Sequence, residues 1–173
     1  MMRTIINILL IMTFLAFTGC LDRTEQNAKT GRISKEQLAE INRQLLIKDR
    51  ERIINYIDRK GLDMKETDTG LWYSESVRGM GSISNGDNVT LQYTCSLLDG
   101  TLVYDSKEDG LMKFRVGKSD IPSGLNEGVK LLGKGSEAVL ILPGYIGYGL
   151  IGDENKIPAR SILVYNIKVI EVN

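Results

Sequence analysis

The sequence predicts an α+β protein in which a curved antiparallel sheet, a half-barrel, wraps around one short helix and is preceded by a longer helix. Apolar residues recur at helical spacing over residues 34–61 and alternate with polar residues from residue 70 onward. One short helical segment, near residue 125, interrupts the alternating segments. The chain has 173 residues, 42% of them hydrophobic, which suits one globular domain with appendages.

Residues 1–19 are predicted to be a lipoprotein signal peptide. The apolar stretch of residues 5–17 would extend only ~20 Å as a helix, short of the ~30 Å hydrocarbon core of a bilayer. Phe17-Thr18-Gly19-Cys20 follows and resembles the bacterial lipobox, whose cysteine receives diacylglycerol and becomes the first residue of the mature protein. A plain signal peptide with a chance cysteine is the alternative. The lipobox predicts a membrane-anchored lipoprotein, acylated at Cys20, that faces the periplasm or the cell exterior.

Residues 20–33 are polar and are predicted to be a solvated tether, and residues 34–61 are predicted to form the N-terminal helix. Ser34 and Gln37 have the spacing of a capping box, and Gly61 supplies the end. The apolar stripe of this helix is costly to leave in water. It has three alternative roles, which are packing on the domain, pairing with a second copy and spacing the domain from the membrane. We favour the homodimer.

Residues 70–173 are predicted to form the compact domain. Residues 89–97 alternate as a half-buried strand does, and Asp99-Gly100 predicts a hairpin that returns through residues 102–104. Further strands are predicted around residues 112–116 and over residues 138–142 and 162–172. Ser123 is predicted to cap the short helix, which carries Leu125 and ends at Gly133.

The composition excludes several function classes. The sequence has no histidine, which excludes Ser-His-Asp and Cys-His nucleophiles and the usual zinc sites, so we expect no metal and no organic cofactor. Basic and acidic residues balance at 22 each, which predicts no nucleic-acid partner. Residues 147–152 spell GxGxxG, but no helix pattern follows, so a loop is favoured over a dinucleotide site. Cys95 is predicted to be a small buried apolar residue.

Residues 70–172 resemble the FKBP-type peptidyl-prolyl cis/trans isomerases. The motifs that carry the resemblance are VTLQYT at 89–94, LDGTLVYDS at 98–106, FRVGK at 114–118, GLNEG at 124–128, the LP and YG pairs within 142–149, and IP at 157–158. The resemblance implies isomerisation of X–Pro bonds in exported or envelope proteins, with proline-containing polypeptides as partners. The stretch from Tyr56 to Tyr73 also resembles gliding-motility-associated isomerase lipoproteins of Bacteroidota-like bacteria.

The resemblance also implies an apolar pocket with two polar groups. Tyr148 and Asp105 would be the catalytic residues, with the Tyr148 hydroxyl donating to a substrate carbonyl. The implied substrate-binding residues are Tyr93, Tyr104, Met112, Phe114, Ile121, Leu125, Ile157 and Tyr165. Phe114 and Tyr165, taken singly, have ordinary core positions as the alternative. Such a pocket needs no histidine, because rotation about X–Pro breaks amide resonance but moves no proton.

The sequence departs from the family pattern in three ways. Leu125 stands where a pocket-floor tryptophan is common, and Lys107 and Gly110 occupy the stretch in which an arginine often pairs with the residue at the position of Asp105. Pro122 falls where a backbone N–H usually meets a bound substrate or macrolide carbonyl, and proline has no N–H. The alternative function is therefore a low-activity or inactive chaperone or assembly subunit that uses the same pocket for binding.

Overall fold

A computed structural model of the protein describes residues 33–118 and 120–173. The predicted signal peptide, Cys20 and residues 21–32 of the predicted tether lie outside the described residues. The elements in chain order are α1 Lys35–Lys60, β1 Lys65–Glu66, β2 Trp72–Val77, β3 Asn88–Leu97, β4 Leu102–Asp105, α2 Ser106–Asp109, β5 Met112–Arg115, α3 Ser123–Val129, β6 Glu137–Leu142, a 3₁₀ turn Gly144–Ile146 and β7 Leu163–Val172.

The strands form one antiparallel sheet in the order β1-β2-β6-β7-β3-β4, and β5 pairs with β3 next to β4. The longest pairing joins β3 to β7, from Val89 opposite Val172 to Leu97 opposite Leu163. The register shifts between Thr90 and Leu91, and such a bulge bends a strand and increases its twist. The predicted fold class, an open antiparallel sheet with a short helix, is confirmed.

The helix α3 packs against one face of the sheet. Leu125 and Val129 are fully buried there. The helix lies very close to β6, because a Cβ at Gly128 would stand 2.5 Å from a methyl carbon of Leu140. The predicted cap is wrong by one residue, since Pro122 occupies the N-cap and no side-chain hydrogen bond caps the helix. The Ser123 hydroxyl instead donates to the carbonyl of Ile146 at 3.4 Å.

The chain divides into two units after Asn42, and the structure describes residues 33–42 of the first unit. The first unit contains the start of α1. Its capping box is confirmed, because the backbone N–H of Gln37 donates to the Ser34 hydroxyl at 3.2 Å and the backbone N–H of Ser34 donates to the Gln37 side chain at 2.9 Å. Leu38 and Ile41 in this unit are each 47% exposed.

In the second unit, the remainder of α1 covers part of the outer face of the sheet. Ile53 and Ile57 are buried in a cluster with Ile141, Ile162 and Val164. Further along β7 the outward side chains become polar, at Asn166 and Lys168. The helix therefore covers the apolar half of this face. The sequence left three alternative roles for the apolar stripe of this helix, and Ile53 and Ile57 have the first of them, packing on the domain.

The sequence pattern does not predict β1, β2, α2 or the 3₁₀ turn. The strand β2 has the sequence WYSESV and only half-buried or exposed side chains, so it lacks a clear alternating pattern. The other three elements are at most four residues long. No helix among residues 33–118 and 120–173 is long and apolar enough to cross a membrane.

Candidate active site

All eight predicted substrate-binding residues belong to, or pack against, one apolar cluster between the sheet and α3. They come from strands β3, β4, β5 and β7, from the helix α3 and from two loops, and they divide by burial. The buried ones are Tyr93, Phe114, Leu125, Ile157 and Tyr165, and the half-buried ones are Tyr104, Met112 and Ile121. Tyr148 is also half-buried against this cluster.

The buried side chains form the floor of the site, and the half-buried side chains form its rim. Leu125 is 0% exposed and Tyr165 is 1% exposed, so these two side chains support the site from below. The rings of Tyr93 and Tyr165 lie 6.3 Å apart between centroids, tilted by 36°, a favourable aromatic arrangement. The half-buried residues present the accessible surface. Phe114 and Tyr165 therefore have core burial in addition to any role in binding.

Tyr148 follows the 3₁₀ turn, whose backbone fixes the approach to the tyrosine. The N–H of Gly147 donates to the carbonyl of Pro143 at 3.0 Å, and the N–H of Gly149 donates to the carbonyl of Gly144 at 2.8 Å. Gly149 has a φ of +64°, a value that favours glycine. Burial raises the pKa of Tyr148, and a hydrogen bond with Tyr165 opposes part of that rise. The Tyr148 hydroxyl is therefore protonated at neutral pH and available as a donor.

Asp105 has a structural role, the capping of a helix, that the sequence pattern does not predict. It is the N-cap of α2, where its carboxylate accepts from the backbone N–H of Lys107 at 2.9 Å. Its own N–H donates to the carboxylate of Asp109 at 2.9 Å. Burial raises the pKa of Tyr93, and the negative charges of Asp109 and Asp105 raise it further. A catalytic role of Asp105 stays a prediction.

Two further polar residues at the site were missed. The Ser106 hydroxyl accepts from the backbone N–H of Tyr93 at 3.0 Å and so satisfies a buried donor of β3. Asp153 accepts a hydrogen bond from the Tyr104 hydroxyl. The sequence signal for Asp153 was its position after Gly152 in a polar loop, where aspartate side chains often bind neighbouring backbone N–H groups.

The remaining candidates have ordinary surroundings. Among the described residues, no three acidic or cysteine side chains come together as a metal site. Cys95 is fully buried, and burial raises the pKa of its thiol to about 11. The thiol is therefore protonated at neutral pH, as expected of a small buried apolar residue.

The outer face of the sheet carries a separate open groove of about 480 Å³. Its lining includes solvent-facing polar side chains of β3 and β7, among them Gln92, Thr94 and Asn166. Lys168 in the groove pairs with Glu137 at 2.7 Å. The inner face of the sheet, which packs against α3, carries the aromatic side chains of the predicted site. Of these, the groove is lined by Tyr93 alone, which is 9% exposed. We therefore place the candidate active site on the inner face.

Comparison with known proteins gives consistent matches. A probable FKBP-type peptidyl-prolyl cis-trans isomerase of Haemophilus influenzae is 33% identical over 66% of this chain and 47% of the relative. The FKBP-type peptidyl-prolyl cis-trans isomerase FkpA of Buchnera aphidicola is 29% identical over 88% of this chain and 59% of the relative. The chain thus spans about half the length of these relatives.

Solved structures match the fold. The crystal structure of FkpA from Escherichia coli has a TM-score of 0.62 at 23% sequence identity and covers 83% of this chain and 75% of that one. The crystal structure of AtFKBP13 has a TM-score of 0.59 at 23% identity and covers 64% of this chain and 99% of that one. The family model for FKBP-type peptidyl-prolyl cis-trans isomerases matches residues 79–170, more than half of the chain. Together with the inner-face cluster, this match shows that the chain belongs to the FKBP-type peptidyl-prolyl cis-trans isomerase family.

Proposed function

We propose that this protein catalyses cis/trans isomerisation of X–Pro bonds in exported or envelope polypeptides and so assists their folding. The observation that carries the proposal is the Tyr148 hydroxyl, a protonated donor that lies half-buried against an apolar cluster rich in aromatic side chains. The family membership of residues 79–170 supports the same activity.

The proposed chemistry needs only desolvation and one donor. Rotation about X–Pro faces a barrier of ~18–20 kcal/mol, because amide resonance must be broken. An apolar site disfavours the charge-separated resonance form, and the Tyr148 hydroxyl would donate to the carbonyl of the twisted amide. Each ~1.4 kcal/mol removed from the barrier raises the rate tenfold. The half-buried side chains of Tyr104, Met112 and Ile121 would contact the prolyl ring.

A protease-coupled assay with prolyl tetrapeptides tests the proposal. The purified protein should accelerate isomerisation in proportion to its concentration, and a peptide with alanine in place of proline should show no dependence on the protein. A rate equal to the uncatalysed rate would overturn the enzymatic proposal. That result would favour the alternative, a binding subunit without turnover.

One observation favours this second candidate. Pro122 is buried at the start of α3, with its carbonyl engaged by the N–H groups of Leu125 and Asn126 at 3.0 Å. It therefore contributes an acceptor to the helix and no donor to a ligand. The loss of one hydrogen bond costs ~1–3 kcal/mol, less than the whole of a catalytic effect, so we favour the enzyme.

We further propose that Cys20 carries the lipid anchor predicted from the lipobox and that the domain is held at the cell envelope. Labelling of cells with a palmitate analogue should mark the wild-type protein and should not mark Cys20→Ser. Equal labelling of both proteins would exclude this anchor. An association with gliding motility stays a prediction from the resemblance of residues 56–73.

The homodimer remains a proposal for the start of α1. Leu38 and Ile41 are exposed at helical spacing, and such a pair is favourable to cover. Light scattering of the protein from residue 21 onward should give the mass of a dimer, and Leu38→Glu with Ile41→Glu should give that of a monomer. A monomeric wild type would refute the dimer.

A further inference from the structure

One carboxylate ties the loop after Tyr148 to the strand β4 on the rim of the site. The Tyr104 hydroxyl donates to Oδ2 of Asp153. The other oxygen, Oδ1, accepts the backbone N–H of Ile157 at 2.7 Å and that of Asn155 at 3.0 Å. Because the two oxygens bind different elements, the position of Tyr104 and the shape of the loop both depend on this side chain.

Other contacts from the same loop converge on Tyr104. The side-chain amide of Asn155 donates to the Tyr104 hydroxyl at 3.3 Å. The ammonium of Lys156 lies 4.7 Å from the centre of the Tyr104 ring and 3.4 Å from the carboxylate of Asp109. We call the side chains of Tyr104, Asp153 and Asn155 together with the backbone of residues 152–157 the clasp. Tyr104 and Ile157, two of the predicted substrate-binding residues, are both part of it.

The backbone of the clasp is held in a costly conformation. Glu154 has a φ of +58°, in the left-handed region, which costs a residue with a Cβ roughly 1–2 kcal/mol. Gly152 has a φ of +83°, and a Cβ there would stand 2.1 Å from the carbonyl oxygen of Ile157. Strained backbone of this kind persists only where the surrounding bonds hold it. The bonds present are those to the Asp153 carboxylate and the bond from the Asp153 N–H to the Ile157 carbonyl at 3.2 Å.

We propose that Asp153 is a positioning residue that holds Tyr104 and Ile157 in the arrangement that receives the prolyl side chain. This inference rests on the proposed function. Asp153 itself does not touch the substrate. A binding site whose side chains are already ordered avoids an ordering cost of ~0.5–1.5 kcal/mol for each side chain that binding would otherwise immobilise. The clasp orders one aromatic side chain and one loop in this way.

Four variants of the full protein separate this role from general damage. Tyr104→Phe removes the hydroxyl that donates to Asp153 and accepts from the Asn155 amide, and Asp153→Ala removes the carboxylate that accepts from Tyr104. Tyr104→Phe should lower kcat/KM for a prolyl tetrapeptide about five- to tenfold, the effect of one hydrogen bond. Asp153→Ala should lower it at least as much, because it also releases the N–H groups of Asn155 and Ile157. The double variant should be about as slow as Asp153→Ala alone, because the bond between Tyr104 and Asp153 that Tyr104→Phe breaks is already broken in Asp153→Ala. Asp153→Asn keeps a hydrogen-bonding group of the same shape and should restore most of the activity.

Lys156→Ala is the matched control. It lies in the same loop and contacts the same ring, but its side chain is 46% exposed and its ion pair with Asp109 is only partly buried, so its kcat/KM should stay within about twofold of wild type. A loss in Lys156→Ala as large as that in Asp153→Ala would show that any disturbance of the loop suffices and would overturn the proposal. Additive losses in the double variant, or unchanged or increased activity in either single variant, would overturn it as well.

Amide hydrogen exchange provides a readout that does not depend on turnover. Tyr104→Phe should accelerate exchange at the N–H of Ile157 and Asn155, although the substituted side chain belongs to a different element, while the N–H groups of β7 keep their wild-type protection. Unchanged exchange at Ile157 would overturn the clasp even in an active enzyme. An inactive wild type would instead refute the proposed function, and the exchange result would still decide whether Asp153 positions the rim.

Discussion

At the scale of single residues, the hydroxyl of Tyr148 is the group whose removal should cost the most activity. Tyr148→Phe keeps the ring and removes one donor, so we expect kcat/KM to fall by roughly ten- to a hundredfold, which corresponds to ~1.5–3 kcal/mol of transition-state stabilisation. The loss of stability should be about 1 kcal/mol, because Tyr165 loses one hydrogen bond. The tetrapeptide assay and thermal unfolding measure the two effects.

Tyr145→Phe is the matched control for this prediction. Tyr145 lies in the adjacent 3₁₀ turn, and its hydroxyl donates to the carbonyl of Thr69 at 2.8 Å, so the substitution also removes one hydrogen bond from a loop tyrosine. Its side chain is exposed and is not part of the inner-face cluster. We expect wild-type kcat/KM. Equal activities of Tyr148→Phe and wild type would exclude the hydroxyl as the donor.

Pro122 provides a second prediction at this scale. Pro122→Ile adds a backbone N–H where the family usually presents one, so we expect macrolide affinity to rise, by up to about tenfold for one hydrogen bond. Stability should fall by ~0.4–1 kcal/mol, because the unfolded chain gains freedom. Isothermal titration with an FKBP-binding macrolide measures the affinity. An affinity that does not change would mean that no ligand carbonyl reaches this position.

At the scale of elements, the helix α1 should stabilise the domain through Ile53. Its side chain is fully buried against the sheet, so Ile53→Ala should lower the free energy of unfolding by ~2–5 kcal/mol. Ile47→Ala is the control on the same helix, where a 41% exposed isoleucine outside the proposed dimer contact is replaced by a better helix former, and stability should change by less than about 1 kcal/mol. Urea unfolding measures both. Equal effects would mean that α1 does not pack as described.

At the scale of the whole molecule, buried acids predict a loss of stability at alkaline pH. Burial raises the pKa of Cys95 from 9.0 to about 11. The folded state therefore binds this proton more tightly than the unfolded state, so the contribution is complete below pH 9 and is lost between pH 9 and about 11. At pH 10.5 this thiol alone should cost about 2 kcal/mol.

Urea unfolding at pH 7.5 and at pH 10.5 tests this expectation. Tyr165, whose pKa burial also raises, adds to the loss in the wild type. Cys95→Ala removes only the thiol, so the difference in stability between the two pH values should be about 2 kcal/mol smaller in the variant than in wild type. The same difference in both proteins would contradict the raised pKa of Cys95.

The pattern of apolar residues was sufficient to predict the long helix and the strands β3 to β7, whereas the residues of the apolar site came from the resemblance to the FKBP family. Alternation along residues 89–97 fixes which side chains face α3, because the side-chain period of a strand is two. The capping box at Ser34 is equally local, since both partners lie within one turn. For the same reason, the burial of Cys95 and the loop at residues 147–152 followed from their immediate neighbours in the sequence.

Contacts between residues that are far apart in the sequence became evident only in the tertiary structure. The bond from Tyr104 to Asp153 joins residues 49 positions apart, and the contact of Ile53 with the sheet depends on where the outer face changes from apolar to polar. Asp105 was predicted from a family motif, but its duty as the cap of α2 depends on the backbone angle at the end of β4. The period and spacing of apolar residues indicate which face of one element is buried. They do not indicate which distant element covers that face, because the partner depends on the packing of the whole sheet.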